Sequence, residues 1–217
     1  MTDDTQGARA SRPQQQPRKS GTEKPPHKLW HNRGYLPHVD SPGLIQGITF
    51  RLADALPRDV LTRLAQEDID ESERRDRIEA LLDSGHGACW LQDAAMADIV
   101  EDALLHFDGQ RYRLLAWCIM PNHLHVLIET REGWPLPGIV QSWKSFTAKA
   151  INQTLGRNGT VWMEDYFDRY IRDDQHLAAV IAYIQGNPVK AGLVQHEQDW
   201  LHSSASKRSP CLPPHDH

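Results

Sequence analysis

Cys118-Ile119-Met120-Pro121-Asn122-His123-Leu124-His125-Val126-Leu127-Ile128-Glu129 places two histidines one residue apart inside an apolar run with strand character. Successive side chains of a strand point to opposite faces, so His123 and His125 share one face while Leu124 and Val126 share the other. Two imidazoles on one face make half of a metal site, and the apolar residues opposite have a core to enter. An isolated His-x-His is equally compatible with two ordinary polar positions on the exposed face of a sheet. The surrounding chain decides between the two.

Working outward, Asp108-Gly109 is a turn signal, Tyr112 to Met120 reads as a strand, and Pro121-Asn122 joins it to the strand His123 to Thr130 as a hairpin. Alternation from Leu44 to Leu52 predicts an earlier strand. The charged stretch from Pro57 to Leu82 has apolar positions for two helices, and Ser84-Gly85-His86-Gly87 ends it. Helices are also expected over Asp93–Phe107 and Ile139–Leu155, with an aromatic and charged segment from Val161 to Ile171. Asp173 or Asp174 caps a final helix over Gln175–Gly186, where Gly186-Asn187-Pro188 stops it and leaves Asn187 at the helix end. Helices alternating with antiparallel strands predict an α+β fold, with helices packed on one face of a small antiparallel sheet.

The chain of 217 residues, 39% apolar, is read as one domain between polar tails at residues 1–28 and 203–217. A formal charge of −5 argues against a bulk electrostatic nucleic-acid binder, although a local basic face can coexist with it. Cys89, Cys118 and Cys211 are far apart and odd in number, which gives neither a disulfide framework nor a zinc motif and suits a reducing compartment. There is no secretory signal pattern and no apolar run of the ~18 residues that a membrane span needs. A cytoplasmic protein without membrane partners is expected.

A metal held by two histidines needs further ligands and a group that does chemistry. Tyr183 and Asn187 stand four residues apart on the final helix, hence on one helix face. The Asn187 amide oxygen suits a hard divalent cation such as Mg²⁺ or Mn²⁺. A phenolic oxygen can attack phosphorus once the phosphate is polarised. From helical spacing alone, an aromatic packed beside Val180 and Ile184 is the simpler reading of Tyr183. Tyr166 and Tyr170, also four apart, are rival nucleophiles in a segment whose Phe167, Arg169 and Arg172 suit stacking on bases and contacting phosphates. Lys144, Lys149, Arg169, Arg172 and Lys190 are candidate DNA contacts, each with a solvated surface charge as the plainer alternative.

An ordered set of motifs extends this reading. It runs from Arg33-Gly34-Tyr35-Leu36-Pro37-His38 through Ile48-Thr49-Phe50-Arg51-Leu52 and Met120-Pro121-Asn122-His123-Leu124-His125 to Ser142-Trp143-Lys144-Ser145-Phe146-Thr147. Tyr166-Phe167-Asp168-Arg169, Ile171-Arg172-Asp173 and Tyr183-Ile184-Gln185-Gly186-Asn187-Pro188-Val189-Lys190-Ala191-Gly192-Leu193 follow. Together they resemble the HUH-type single-tyrosine transposases, and within them the REP-associated tyrosine transposases.

The resemblance implies a ferredoxin-like (RRM-like) sandwich over residues 29–202, with 54–107 as a helical insertion. It implies His123, His125 and Asn187 as ligands of Mg²⁺ or Mn²⁺ and Tyr183 as nucleophile. The expected reaction is nicking and rejoining of single-stranded or hairpin DNA from palindromic repeats through a 5′-phosphotyrosine. It allows a homodimer in which the helix-borne tyrosine completes the partner's site. The acidic charge and the long insertion depart from the family pattern. Two other readings compete: a non-catalytic regulator that grips hairpin DNA or RNA, and a metallo-hydrolase using activated water. A zinc-stabilised structural domain fails for want of two more strong ligands near the pair.

Overall fold

The computed structural model describes residues 30–33, 36–39 and 41–206. The tail expected over 1–28 lies outside the described residues, as does 207–217. Strands β1 (Trp30–Arg33) and β2 (Leu36–Val39) pair with each other as a two-stranded sheet. Strands β3 (Ile45–Arg51), β4 (Tyr112–Ile119), β5 (His123–Thr130) and β6 (Phe167–Tyr170) form a four-stranded antiparallel sheet in the order β4-β5-β3-β6. Helix α3 (Ala94–Leu105) connects β3 to β4, and α4 (Leu136–Thr154) connects β5 to β6. That β-α-β-β-α-β succession, with the first and third strands central, is the ferredoxin-like arrangement. Two further helices, α1 (Arg58–Gln66) and α2 (Glu71–Asp83), are inserted between β3 and α3.

The β4–β5 hairpin turns at Pro121-Asn122, closed by the Met120 N–H donating to the His123 carbonyl at 2.9 Å. On one side of the sheet Phe50, Trp117, Leu124, Val126 and Ile128 meet Val100 and Leu104 of α3 and Trp143 of α4 in the main core. Polar tips in this layer are matched: Trp143 Nε1 donates to the Tyr112 hydroxyl at 2.9 Å, which in turn donates to the Leu104 carbonyl at 2.6 Å.

The expectation of helices on one face is corrected here. The final helix, α5 (Asp174–Lys190), packs on the opposite face, where Leu115, Ala116, Cys118, Met120 and Leu127 form a second apolar cluster with Ile184. The sequence explains why: Leu114-Leu115-Ala116-Trp117-Cys118-Ile119 is a continuous apolar run, the mark of a strand buried on both sides rather than an alternating one. A bulge between Leu114 and Ala116 turns the extra residue, Leu115, toward α5.

Asp173 caps α5, its carboxylate accepting from the His176 N–H at 2.7 Å. The helix does not stop at Gly186-Asn187-Pro188 but continues to Lys190. Pro188 donates no hydrogen bond back to Ile184, yet Asn187 and Pro188 are both buried and the Asn187 carbonyl accepts the capping Ala191 N–H at 2.9 Å. Packing therefore outweighs the local preference, and Asn187 sits within the last turn. Ser203–Ser206, assigned from sequence to a flexible tail, lie against β4: Ser203 bridges Cys118, and the Ser204 N–H donates to the Trp117 carbonyl at 2.9 Å. Among the described residues no helix is long and apolar enough to cross a membrane.

Candidate active site

The site lies on the α5 side of the sheet. Cross-strand register puts Thr49 opposite His125 and Arg51 opposite His123, so these four side chains share one face. His123 Nδ1 meets the Asn122 Oδ1 at 2.8 Å, and His125 Nδ1 meets the Thr49 hydroxyl at 2.9 Å. Asn122 is itself fixed by its Nδ2 donating to the His86 carbonyl at 2.9 Å, so its oxygen is the end that faces His123 and Nδ1 is the protonated ring nitrogen. The loop that delivers His86 is shaped by Gly87, at φ +89°, where any Cβ would fall 2.6 Å from the Asp54 carbonyl oxygen.

With their Nδ1 atoms engaged, the two imidazoles turn their Nε2 atoms toward each other, 3.1 Å apart. Burial holds both pKa values down: His123 lies well below its ordinary range, helped by His125, Lys190 and Arg51, and His125 falls to about 3, helped by Lys190. Both rings are therefore neutral at pH 7, and their facing Nε2 atoms lie within hydrogen-bonding distance of each other. Two nitrogens about 2.1 Å from one ion would stand ~3 Å apart at a near-right angle, so the pair fits a shared divalent cation.

Asn187 adds an independent sign. It is fully buried, and neither Oδ1 nor Nδ2 has a partner in full hydrogen-bond geometry, although the amide lies near enough to the Tyr183 hydroxyl to act on it. A buried amide left unmatched is costly unless something else engages it. Two imidazole nitrogens and one amide oxygen could hold a divalent cation and leave coordination positions open, the oxygen being the donor that suits Mg²⁺ or Mn²⁺.

Tyr183, one turn before Asn187, lies against this pair, its ring meeting that of His125 edge-on with centroids 5.6 Å apart. The tyrosine thus lies against a histidine of its own chain. The Tyr183 hydroxyl donates to Glu79 Oε2 at 2.8 Å. Burial and the Glu79 carboxylate push the Tyr183 pKa up, with the Asn187 amide acting the other way. Asp83, one turn beyond Glu79, lies 3.8 Å from His123 Nε2 and pairs with Lys190 Nζ at 3.0 Å.

The rival tyrosines point elsewhere. Tyr166 is buried in the main core on the far side of the sheet. Tyr170 stands opposite Gln46 in the β3–β6 register, which is the strand face of Ile48 and not that of Thr49. Among the basic candidates, Lys144 is corrected: it is buried, and its Nζ donates to the carbonyls of Met163, Glu164 and Asp165 at 2.9, 2.9 and 3.2 Å. It fastens the approach to β6 and does not face solvent. Lys149 is exposed but on α4, across the sheet from the histidines. Lys190 lies over the Tyr183 ring at 5.5 Å, Arg169 lines the cleft beside it, and Arg172 is exposed just before α5.

That cleft, lined by Arg75, Glu79, His125, Phe167, Arg169 and Tyr183 among others, leads to the tyrosine. Sequence reading missed Thr49, Asn122, Glu79, Asp83 and Arg75. The first two adjoin recognised motif residues. The other three had one available signal, the spacing i, i+4, i+8 on α2. A separate group, Asp98, Glu101 and His202, brings three ligand-type atoms within 4.8 Å of one another. Glu101 is already engaged there by Trp117 Nε1 at 3.0 Å and faces His202 Nδ1 at 3.5 Å, tying the end of the described chain to α3.

A buried histidine pair beside a helix-borne tyrosine on a ferredoxin-like sheet is the arrangement to be compared with known proteins. Residues 95–187 match the family described as "Transposase IS200 like". The chain is 31% identical over 103 residues to a putative REP-associated tyrosine transposase of Haemophilus influenzae, covering 43% of this chain and 58% of that protein. It is 26% identical over 97 residues to the REP-associated tyrosine transposase of Escherichia coli K12, covering 43% of this chain and 54% of that one. The chain thus spans a little over half the length of these curated relatives. Its fold is similar to that of a solved REP-associated tyrosine transposase bound to a REP hairpin, with a TM-score of 0.52 and 18% identity over 79% of this chain and 82% of that one.

Proposed function

We propose that this protein nicks and rejoins single-stranded DNA by transesterification, acting in the cytoplasm on hairpins formed by palindromic repeats. The reading rests on one observation: the Tyr183 ring lies against a pair of buried imidazoles whose Nε2 atoms face each other, with the buried Asn187 amide one turn further along the same helix. A divalent cation, Mg²⁺ or Mn²⁺, held by His123, His125 and Asn187 would polarise the scissile phosphate and offset charge as it builds. Tyr183 attacks the phosphorus, forming a 5′-phosphotyrosine and releasing a 3′-hydroxyl. The covalent link conserves the phosphodiester, so a second 3′-hydroxyl reverses the step and rejoins the strand without an energy source. Asn122 holds His123 in the tautomer that leaves Nε2 unprotonated, and Thr49 orients the His125 ring. Arg169 and Arg172 supply charge, and Phe167 a stacking surface, where the strand would approach. The hairpin substrate is supported by the hairpin named with the solved fold relative.

The test is a denaturing-gel assay with labelled single strands from the palindromes flanking the gene, in Mn²⁺ or Mg²⁺. A metal-dependent protein–DNA adduct is expected, falling by on the order of 10³-fold or more in Tyr183→Phe. Tight hairpin binding with no adduct would leave a hairpin-binding regulator instead. Cleavage without an adduct would mean hydrolysis by activated water.

A further inference from the structure

The inserted helix α2 faces two ways. Ile78 and Leu82 enter the main core, whereas Arg75 and Glu79 line the cleft at Tyr183 and Asp83 reaches His123 and Lys190. We infer that Glu79 is the proton acceptor for the nucleophile, so that the insertion completes the active site. This rests on Tyr183 being the nucleophile as proposed above.

Geometry carries the assignment. The Tyr183 hydroxyl already donates to Glu79 Oε2 at 2.8 Å, within the reach a general base needs. The nearby imidazoles are otherwise committed: His125 turns Nδ1 to Thr49 and Nε2 to His123, and His123 turns Nδ1 to Asn122. Asp83 is engaged by Lys190 at 3.0 Å. Glu79 is itself held in place, because α2 is anchored at both ends. Its first turn is capped by Asp70 accepting from the Glu73 N–H at 2.8 Å. Arg74 ties it to the α1 end, donating to the Leu64 carbonyl at 3.0 Å, and Leu82 buries its last turn.

In the forward step the Tyr183 Oη–phosphorus bond forms, the phosphorus–O3′ bond breaks, and the Oη proton passes to the Glu79 carboxylate. The departing O3′ takes its proton from water. On rejoining, the incoming 3′-hydroxyl gives its proton to water, the Oη–phosphorus bond breaks, and Glu79 returns its proton to the tyrosine. The same group serves both directions, as a reversible transfer requires. Its surroundings suit that double duty. Burial raises the proton affinity of Glu79 and Asp76 adds to it, while Tyr183, Lys190 and Arg75 draw it down.

The experiment compares full-length wild type, Glu79→Gln, Glu79→Ala and Tyr183→Phe in the adduct assay, with affinity for the same DNA measured by anisotropy. Glutamine keeps a hydrogen-bond acceptor but takes no proton. Both Glu79 variants are expected to slow adduct formation by about 10²- to 10⁴-fold with DNA affinity unchanged within about twofold. Formate, a small carboxylate, is expected to restore part of the rate in Glu79→Ala and to leave wild type unaffected. A wild-type rate in Glu79→Gln would overturn the inference and reduce Glu79 to orienting the hydroxyl. Loss of DNA binding in parallel with the rate would overturn it too. An adduct lost in Tyr183→Phe but intact in Glu79→Gln sinks this inference alone. No adduct in wild type sinks the transesterase reading and this inference with it.

Discussion

Strand β5 shows Leu124, Val126 and Ile128 to one layer of the molecule and His123 and His125 to the other, and all five are almost wholly shielded from water. Toward α3 and α4 the contacts are apolar and aromatic: Phe50 stacks near Trp143 at 6.5 Å between centroids and meets Trp162 edge-on at 4.9 Å. Toward α5 the same depth of burial encloses two imidazoles, an arginine and an unmatched amide. The first layer gains free energy from its burial. The second loses some, since a buried polar group without a partner costs roughly 1–3 kcal/mol. The sheet thus separates the two tasks by strand alternation, with stability on one side and poised chemistry on the other.

That division breaks most visibly under substitution of Phe50. Phe50→Ala is expected to destabilise the protein by about 3–5 kcal/mol, measured by urea unfolding with a chelator present. At temperatures where the variant stays folded, its adduct rate should remain within a few-fold of wild type. A variant that stays fully stable would mean that the aromatic layer is not the main core.

Acid sharpens the comparison from the other side. The His125 pKa is depressed to about 3 in the fold, against 6.5 for an ordinary histidine, because burial and Lys190 disfavour the charged ring. The unfolded chain therefore binds more protons between those values. The stabilisation is fully present above about pH 6.5 and fades as pH falls toward 3. In chelated protein, wild type is expected to lose more stability between pH 7 and pH 4.5 than His125→Gln, by a few kcal/mol at most. Parallel curves for the two proteins would show that His125 is not desolvated as described.

Legibility from sequence followed the same line. The hairpin, the strand His123–Thr130 and the helices on either side could be read from alternation and turn residues because those signals are local. His123, His125, Tyr183 and Asn187 were readable as candidates because their spacings, two and four, match the strand and helix periods. What stayed hidden depends on distant segments. Glu79 lies 104 positions from the tyrosine it touches, and α2 reads locally as a charged surface helix. Lys144 looked like a DNA contact because a lysine on an amphipathic helix is ordinarily solvated, and only the loop at 163–165 reveals its three carbonyl partners. The end of α5 was misplaced because a local rule about proline was outweighed by the burial of Asn187 and Pro188.

Asn187 gives the finest test of the contrast. Its amide is buried with no partner in full hydrogen-bond geometry, which costs the fold stability. If that amide is kept for a cation, replacing it with an apolar side chain of similar size should help the empty protein and harm the loaded one. Asn187→Leu is expected to raise the stability of chelated protein by about 1 kcal/mol, the desolvation cost removed less some strain of fit. The same change should weaken Mn²⁺ binding, measured by calorimetry, by roughly 10-fold or more, as expected when one ligand of a small set is lost. The opposite signs carry the point, because a residue that merely packs loses stability with or without metal. A destabilised Asn187→Leu that binds Mn²⁺ as well as wild type would return Asn187 to the structural side of the molecule and leave the histidine pair without its third ligand.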